Sequence, residues 1–219
     1  MSGDKLPTII PIFPLPNVVL FPDVMLPLHI FEPRYRQMVH EAKEQTPPLI
    51  GMTLLRGNWQ EQYEGCPDVF PVCCAGEMMQ VSPLADGRFN VLLRGMRECR
   101  IKEELQGRGK LYRECVVEWR EPDQQSLSSS VRQDLNRLLV AYLQKNDTVQ
   151  KFLTDPTVED GFFVNFFAFH LDLLPIEKQS LLEAVSLPER ASLLHDMLDF
   201  KLTEGRWSEG GGANKSRLH

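Results

Sequence analysis

The stretch from Ile9 to Val39, IIPIFPLPNVVLFPDVMLPLHIFEPRYRQMV, does most to limit what this chain can become. Its apolar runs are broken at Pro11, Pro14, Pro16, Pro22 and Pro27. Each proline fixes its own φ, removes a backbone donor and pushes the preceding residue to extended geometry. That excludes a helix or a membrane span and leaves edge strands. Ile9–Phe13 and Met25–Phe31 read as strands joined through a Pro-Asn turn and a Phe-Pro-Asp turn. A helix follows over Arg34–Lys43, with Tyr35, Met38 and Val39 on one face. Pro33 suits its first turn, and Glu32 favours the positive end of its dipole.

The β pattern continues. Leu49–Leu55 and Phe70–Val81 read as strands, the second carrying Val72, Cys74, Gly76 and Met78 on one face. Asp86-Gly87 is a turn signal before Phe89–Leu93. Gly95 marks a bulge or bend before Cys99–Ile101, and Leu111–Trp119 closes the series. Six or seven short strands with several prolines suggest a small, partly closed barrel. A polar linker, Glu121–Ser129, then separates this half from a helical one. There Val131, Leu135, Leu138, Leu139 and Tyr142 share a face behind a capping box of Ser130 and Gln133. A second helix is expected over Val158–Leu173, a third from Pro175, and a fourth behind the capping box of Ser186 and Glu189. After Leu202 the periodicity stops, and a glycine-rich tail is expected to be disordered.

The bulk numbers exclude some functions. The net charge is −6 and the pI about 5.4 over 219 residues, which disfavours a general nucleic-acid binder. The five cysteines, Cys66, Cys73, Cys74, Cys99 and Cys115, form no C-x-x-C pair, so a zinc site is not expected. No signal-peptide core and no spanning stretch is visible, and free thiols suggest a reducing, cytoplasmic compartment. Neighbouring Cys73 and Cys74 point to opposite strand faces, which would bury Cys74 and leave Cys73 open to exposure.

Several motifs together resemble the Lon protease N-terminal domain family. Pro11-Ile12-Phe13-Pro14-Leu15, Val19-Leu20-Phe21-Pro22 and Leu28-His29-Ile30-Phe31-Glu32-Pro33-Arg34-Tyr35 look like its opening. Cys74-Ala75-Gly76-Glu77-Met78 and the run Asp86-Gly87-Arg88 through Gly95 look like its second signature, and Leu173 to Glu183 resembles its last part. The resemblance covers residues 8 to 202. It implies an α+β fold, a PUA-like six-stranded pseudo-barrel followed by a C-terminal bundle of about four helices. The expected layout is a barrel with one short helix over 8–121, the bundle packed on it over 126–203, and the tail over 204–219. Full members continue into an ATPase and a serine–lysine peptidase of the S16 class. This chain ends where the ATPase would begin and lacks G-x-x-x-x-G-K-[ST], so it looks like a stand-alone, non-catalytic member.

The resemblance implies binding of unfolded or partner proteins, as a proteolysis adaptor or regulator, with no cofactor, no metal and no membrane. The alternative is a PUA-like RNA-binding protein or an enzyme of that group. Its best support is the basic stretch Arg88, Arg94, Arg97, Arg100, Lys102, Arg108, Lys110 and Arg113, diluted by acidic neighbours. The resemblance makes Glu32, Arg34 and Arg36, in the strand-to-helix motif, the candidate protein-binding residues. Arg34 and Arg36 stand 200° apart on the helix, so they cannot both be buried against one neighbour. Other chemistry is thin. His40-Glu41 lacks the second histidine of a zincin, since Glu44 stands there. His29 reads as a satisfied barrel residue. Phe162, Phe163, Phe166, Phe167 and Phe169 cover an arc of about 160° and read as bundle core.

Overall fold

A computed structural model of the chain describes residues 6–62, 65–143, 152, 153, 155 and 157–211. The chain divides into two compact units, one formed by Met1–Pro122 with Asn165–Glu183 and the other by Asp123–Val164 with Ala184–His219.

The first unit holds six strands: β1 (Ile9–Leu15), β2 (Met25–Ile30), β3 (Leu49–Leu54), β4 (Val72–Pro83), β5 (Phe89–Leu105) and β6 (Arg113–Trp119). Helix α1 (Pro33–Ala42) lies between β2 and β3 in sequence. The sheet order is β2-β5-β4-β3-β1-β6, and β5 pairs again with β6. The length of β5 makes this possible. Its first half, Phe89–Arg94, pairs with β2, and Cys99–Leu105 pairs with β6. The pairings β5-β4-β3-β1-β6-β5 therefore close a ring, and β2 is attached to β5 alone among the described residues. Among the described residues only β1–β3 is parallel, and its crossover runs through β2 and α1.

The segments Phe89–Leu93 and Cys99–Ile101 are thus one continuous strand. The bulge or bend expected at Gly95 is present as a register shift between Ala75 and Gly76, which face Arg97 and Gly95. Gly95 has a further duty. Asp23 donates its N–H to the Gly95 carbonyl at 2.7 Å, and Gly95 donates to the Val24 carbonyl at 2.9 Å. Asp23 takes φ 64°, so the Phe-Pro-Asp turn is clamped onto β5 in a left-handed conformation.

The inner face is a cluster of Ile10, Ile12, Leu49, Cys73, Ala75, Cys99, Cys115 and Val117. Cys73 sits directly opposite Cys99 in register, with their Sγ atoms 3.3 Å apart. Cys73 is therefore buried, as is Cys74, because β4 is covered on both faces from Val72 to Ala75. The hydrogen bond with the Cys99 thiol, and then burial, hold the Cys73 thiol well above its usual range.

The second face of β4 is covered from the helical half of the sequence. Helix α3 spans Asp160–His170, and α4 spans Pro175–Glu183. Buried Gln179 donates Nε2 to the Val72 carbonyl at 3.0 Å. Arg120, ion-paired with Glu98 at 2.8 Å, donates to the carbonyls of Leu182 and Glu183. Buried Asn165 donates to the Pro22 carbonyl at 3.2 Å. These bonds group α4 and the end of α3 with the strands, so the division is not a single cut near residue 125.

The second unit contains α2 (Ser129–Leu143), the first turn of α3 and α5 (Leu187–Gly211). Helix α2 packs on α5, burying Leu135 and Leu139 on the one and Ala191, Leu194 and Leu198 on the other. The α2 cap is Ser128, whose Oγ accepts from the Val131 N–H at 3.3 Å, in place of the expected Ser130. At α5 the Ser186 Oγ accepts from the Glu189 N–H at 3.3 Å, and Glu189 returns a bond to the Val185 N–H at 2.7 Å. Helix α5 continues past Leu202 to Gly211, so the tail expected from residue 204 is helical at its start. Residues 212–219 lie outside the described residues. Of the phenylalanines, Phe163 and Phe167 are buried and Phe162, Phe166 and Phe169 are half-buried.

Candidate protein-binding surface

Helix α1 begins where β2 ends because Pro33 occupies its first position and Glu32 its N-cap. The Glu32 backbone carbonyl accepts from the N–H groups of Tyr35 and Arg36 at 3.0 and 2.9 Å. Its carboxylate makes no cap bond. It takes both nitrogens of Arg34 instead, Nε at 2.9 Å and Nη2 at 2.8 Å. The Arg34 guanidinium then lies 4.6 Å over the Tyr35 ring, whose centroid is 4.1 Å from that of the Phe13 ring, the two rings tilted by 42°. Glu32 and Arg34 are thus brought together as a pair braced on a buried aromatic.

Arg36 points elsewhere. Its guanidinium lies against Gly87 in the β4–β5 turn, and it makes no side-chain hydrogen bond or ion pair among the described residues. The next residue, Arg88, grips Asp86 through Nε at 2.6 Å, and its own N–H donates to Asp86 Oδ1 at 3.1 Å. Arg88 holds the Asp86 carboxyl down to about 2. Arg88 Nη1 also donates to His29 Nε2 at 3.3 Å, while His29 Nδ1 donates to Asn90 Oδ1 at 2.8 Å. His29 is therefore exposed and not a barrel-interior residue. The Phe31 ring, 60% exposed, lies 6.3 Å from the His29 ring. Sequence reading missed the grouping of His29, Asn90 and Phe31 with Arg88. The available signal was the period-two series Met25, Pro27, His29 and Phe31, which puts all four on one strand face.

On another side of α1 a cleft of about 80 Å³ is lined by Pro14, Tyr35, Leu55, Pro67, Leu111 and Tyr112. Small-molecule sites usually enclose about 300–1,000 Å³, so this cleft has room for a side chain and not for a nucleotide. Beneath α1 a polar network ties it to β6. Tyr112 donates its hydroxyl to Glu41 Oε2 at 2.7 Å, and Gln37 donates to Glu41 Oε1 at 2.7 Å. Lys110 Nζ reaches Tyr112, Glu114 and Glu41 at 2.8, 2.8 and 3.2 Å. Burial pushes the Lys110 pKa down, but bonds from Glu114, Tyr112 and Glu41 outweigh it and the pKa is raised. Burial pushes the Tyr112 hydroxyl up to about 12. The network is structural in its geometry, since its members bond one another.

Most of the basic stretch that favoured nucleic acid is neutralised by ion pairs. Arg88 pairs with Asp86, Arg94 with Glu77, Lys102 with Glu118, Lys110 with Glu114 and Arg113 with Glu104. That leaves little free positive charge for phosphates.

Among the described residues no helix is long and apolar enough to cross a membrane. The architecture is shared with solved structures. The N-terminal domain of Mycobacterium avium complex Lon protease superposes with a TM-score of 0.68 at 16% identity, covering 87% of this chain and 98% of that one. A Lon N-terminal domain protein from Xanthomonas campestris gives 0.62 at 23% identity, covering 85% and 96%. In sequence, Lon protease of Cytophaga hutchinsonii is 22% identical over 205 residues, 91% of this chain and 25% of that protein. Lon protease 2 of Syntrophobacter fumaroxidans is 28% identical over 201 residues, 89% and 24% respectively. The chain spans about a quarter of the length of these curated relatives. The profile of the ATP-dependent protease La (LON) substrate-binding domain matches residues 9–199, nearly the whole described chain, and the chain belongs to that family.

Proposed function

We propose that this domain recognises unfolded or partner polypeptides without catalysis of its own, in a reducing cytoplasmic setting, as an adaptor or regulator of proteolysis. Glu32, Arg34 and Arg36 form the contact region. Membership of a substrate-binding family supports the class of partner. One observation carries the location: Arg36 is half-buried against Gly87 of the β4–β5 turn and has no charge partner among the described residues. A guanidinium held in place but uncommitted is suited to a carboxylate or backbone carbonyl arriving from a partner. The bond between Glu32 and Arg34 keeps that pair occupied, so their part is to shape the rim.

The test is fluorescence anisotropy with a labelled, reduced and carboxymethylated protein as ligand. The parent chain should bind with an affinity of about micromolar, since a disordered ligand loses freedom on binding. Arg36→Ala should weaken capture by about threefold to tenfold with an unchanged melting temperature. Equal binding by parent and variant would move the contact region away from α1.

A further inference from the structure

The outer face of β2 is a feature of the first unit that its own packing leaves unexplained. Met25, Pro27, His29 and Phe31 alternate with buried Leu26 and Ile30, so they share one face. Register places Arg94 opposite Met25, Leu92 opposite Pro27 and Asn90 opposite His29. On β4 the register skips Met79 between Met78 and Gln80, and this bulge leaves Met79 51% exposed. Met25 is 41% exposed. Two methionines and a phenylalanine in the open, on a sheet face that also carries paired charges, form the kind of soft, adaptable surface used for varied protein ligands.

Two further observations narrow the occupant. Strand β2 pairs only with β5 among the described residues, so one edge offers its backbone groups to another strand. Pro27 leaves a gap in the donors but does not close the edge. The charges around the face are matched within the unit: Arg94 with Glu77, Arg88 with Asp86 and Arg34 with Glu32. Arg36, at the Phe31 end, is the exception already noted, so this end of the face carries unmatched positive charge on a chain whose net charge is −6.

We propose that the outer face and open edge of β2 bind an extended apolar segment of another polypeptide, which adds as a strand beside β2 and brings a carboxylate to Arg36. The inference rests on the reading of the domain as a polypeptide receptor and deepens it, naming the conformation and composition of what is bound. Strand addition supplies sequence-independent backbone bonds, Met25 and Phe31 flank the apolar side chains that the added strand presents on this face, and Arg36 fixes direction.

The probes are short, labelled, proline-free apolar peptides ending in Asp or, in a matched version, Lys. A third peptide is the Asp version N-methylated at alternate amides. The full chain is titrated into each and anisotropy read. The Asp peptide should bind about tenfold more tightly than the Lys peptide, and Arg36→Ala should erase that ratio. Phe31→Ser and, separately, Met25→Ser should lower affinity for both peptides, the first by about tenfold, with melting temperatures unchanged because both side chains are exposed. The N-methylated peptide should not bind. A ratio that survives Arg36→Ala, or full binding of the N-methylated peptide, overturns the proposal. If Phe31→Ser and Met25→Ser both capture unfolded protein as well as the parent does, this face is refuted while the receptor reading stands. If the parent binds neither unfolded protein nor peptide, both fall. Concentration-dependent self-association, seen in sedimentation and lost in Phe31→Ser, would overturn it in favour of a second copy of this chain.

Discussion

The Arg36 guanidinium rests on Gly87. A methyl group added at Gly87 would overlap Arg36 Nη2 and stand 3.1 Å from Cζ. Gly87 also takes φ +79°, a region that L side chains reach at a cost of about 1–2 kcal/mol. Two demands thus meet at one glycine: the turn needs its backbone freedom, and α1 needs the space its missing side chain leaves.

A double-mutant cycle separates these demands. Gly87→Ala should destabilise by at least the conformational cost, about 1–2 kcal/mol. Adding Arg36→Ala should return the part due to overlap, so the two changes should couple by about 0.5 kcal/mol or more in urea unfolding. Strict additivity would mean that the arginine moves aside freely and that its position over the turn is not fixed.

Gly95 has a different constraint, and a substitution there should be worse. An added methyl group would overlap the Phe21 carbonyl oxygen and stand 2.7 Å from its carbon and 3.2 Å from the Pro22 Cα. These are backbone atoms, tied to β5 by the bonds between Asp23, Val24 and Gly95. They cannot turn away as a side chain can. Gly95→Ala should cost about 3 kcal/mol or more, read from the denaturation midpoint. A loss under about 1 kcal/mol would show that the Phe-Pro-Asp turn is not clamped.

These two glycines mark what the amino-acid order discloses and what it hides. Asp86-Gly87 is legible because a turn is a local choice of four residues. The proline-broken β1 and β2 and the Ser186 cap are legible for the same reason. Gly95 reads as a bulge, but nothing nearby names Phe21 as the atom pressing on it. The single long β5 is hidden because its two halves serve different partners, β2 and β6. Burial of Cys73 is hidden because it depends on inner-face neighbours supplied by other strands, Cys99 of β5 and Cys115 of β6. Within the candidate surface, Glu32 is legible as the residue before the helix. Its pairing with Arg34 in place of a cap is a choice between two nearby donors that spacing does not decide.

The phenylalanine helix divides by burial. Phe163 is fully buried, and the Arg132 guanidinium lies 3.4 Å over its ring while ion-paired to Asp160 at 2.6 Å. Phe163→Ala should cost about 3–5 kcal/mol. Phe166 is half-buried and should cost clearly less, about 1–2 kcal/mol, by thermal or chemical unfolding. Equal losses at the two positions would show that both rings are enclosed alike.

The bond between Tyr112 and Glu41 makes the attachment of α1 depend on pH. The Tyr112 hydroxyl is the first cause that holds the Glu41 carboxyl below its usual range, ahead of Gln37 and Lys110 and against burial. A carboxylate with a lowered folded pKa contributes stability that is fully present above its unfolded pKa, about 4.3, and is lost as pH falls through the folded one. Tyr112→Phe removes the donor and keeps the ring. Because Glu41 is about a third exposed, the loss at pH 7 should be about 1 kcal/mol, below the usual figure for a bond to a charged group. As pH falls below the unfolded value and on through the lowered folded one, the difference between parent and variant should shrink towards zero. Urea unfolding of the two proteins at pH 7 and pH 3 checks this. A difference that stays constant would assign the role of the Tyr112 hydroxyl to its bond with Lys110, and Glu41 would then have no part in the acid response.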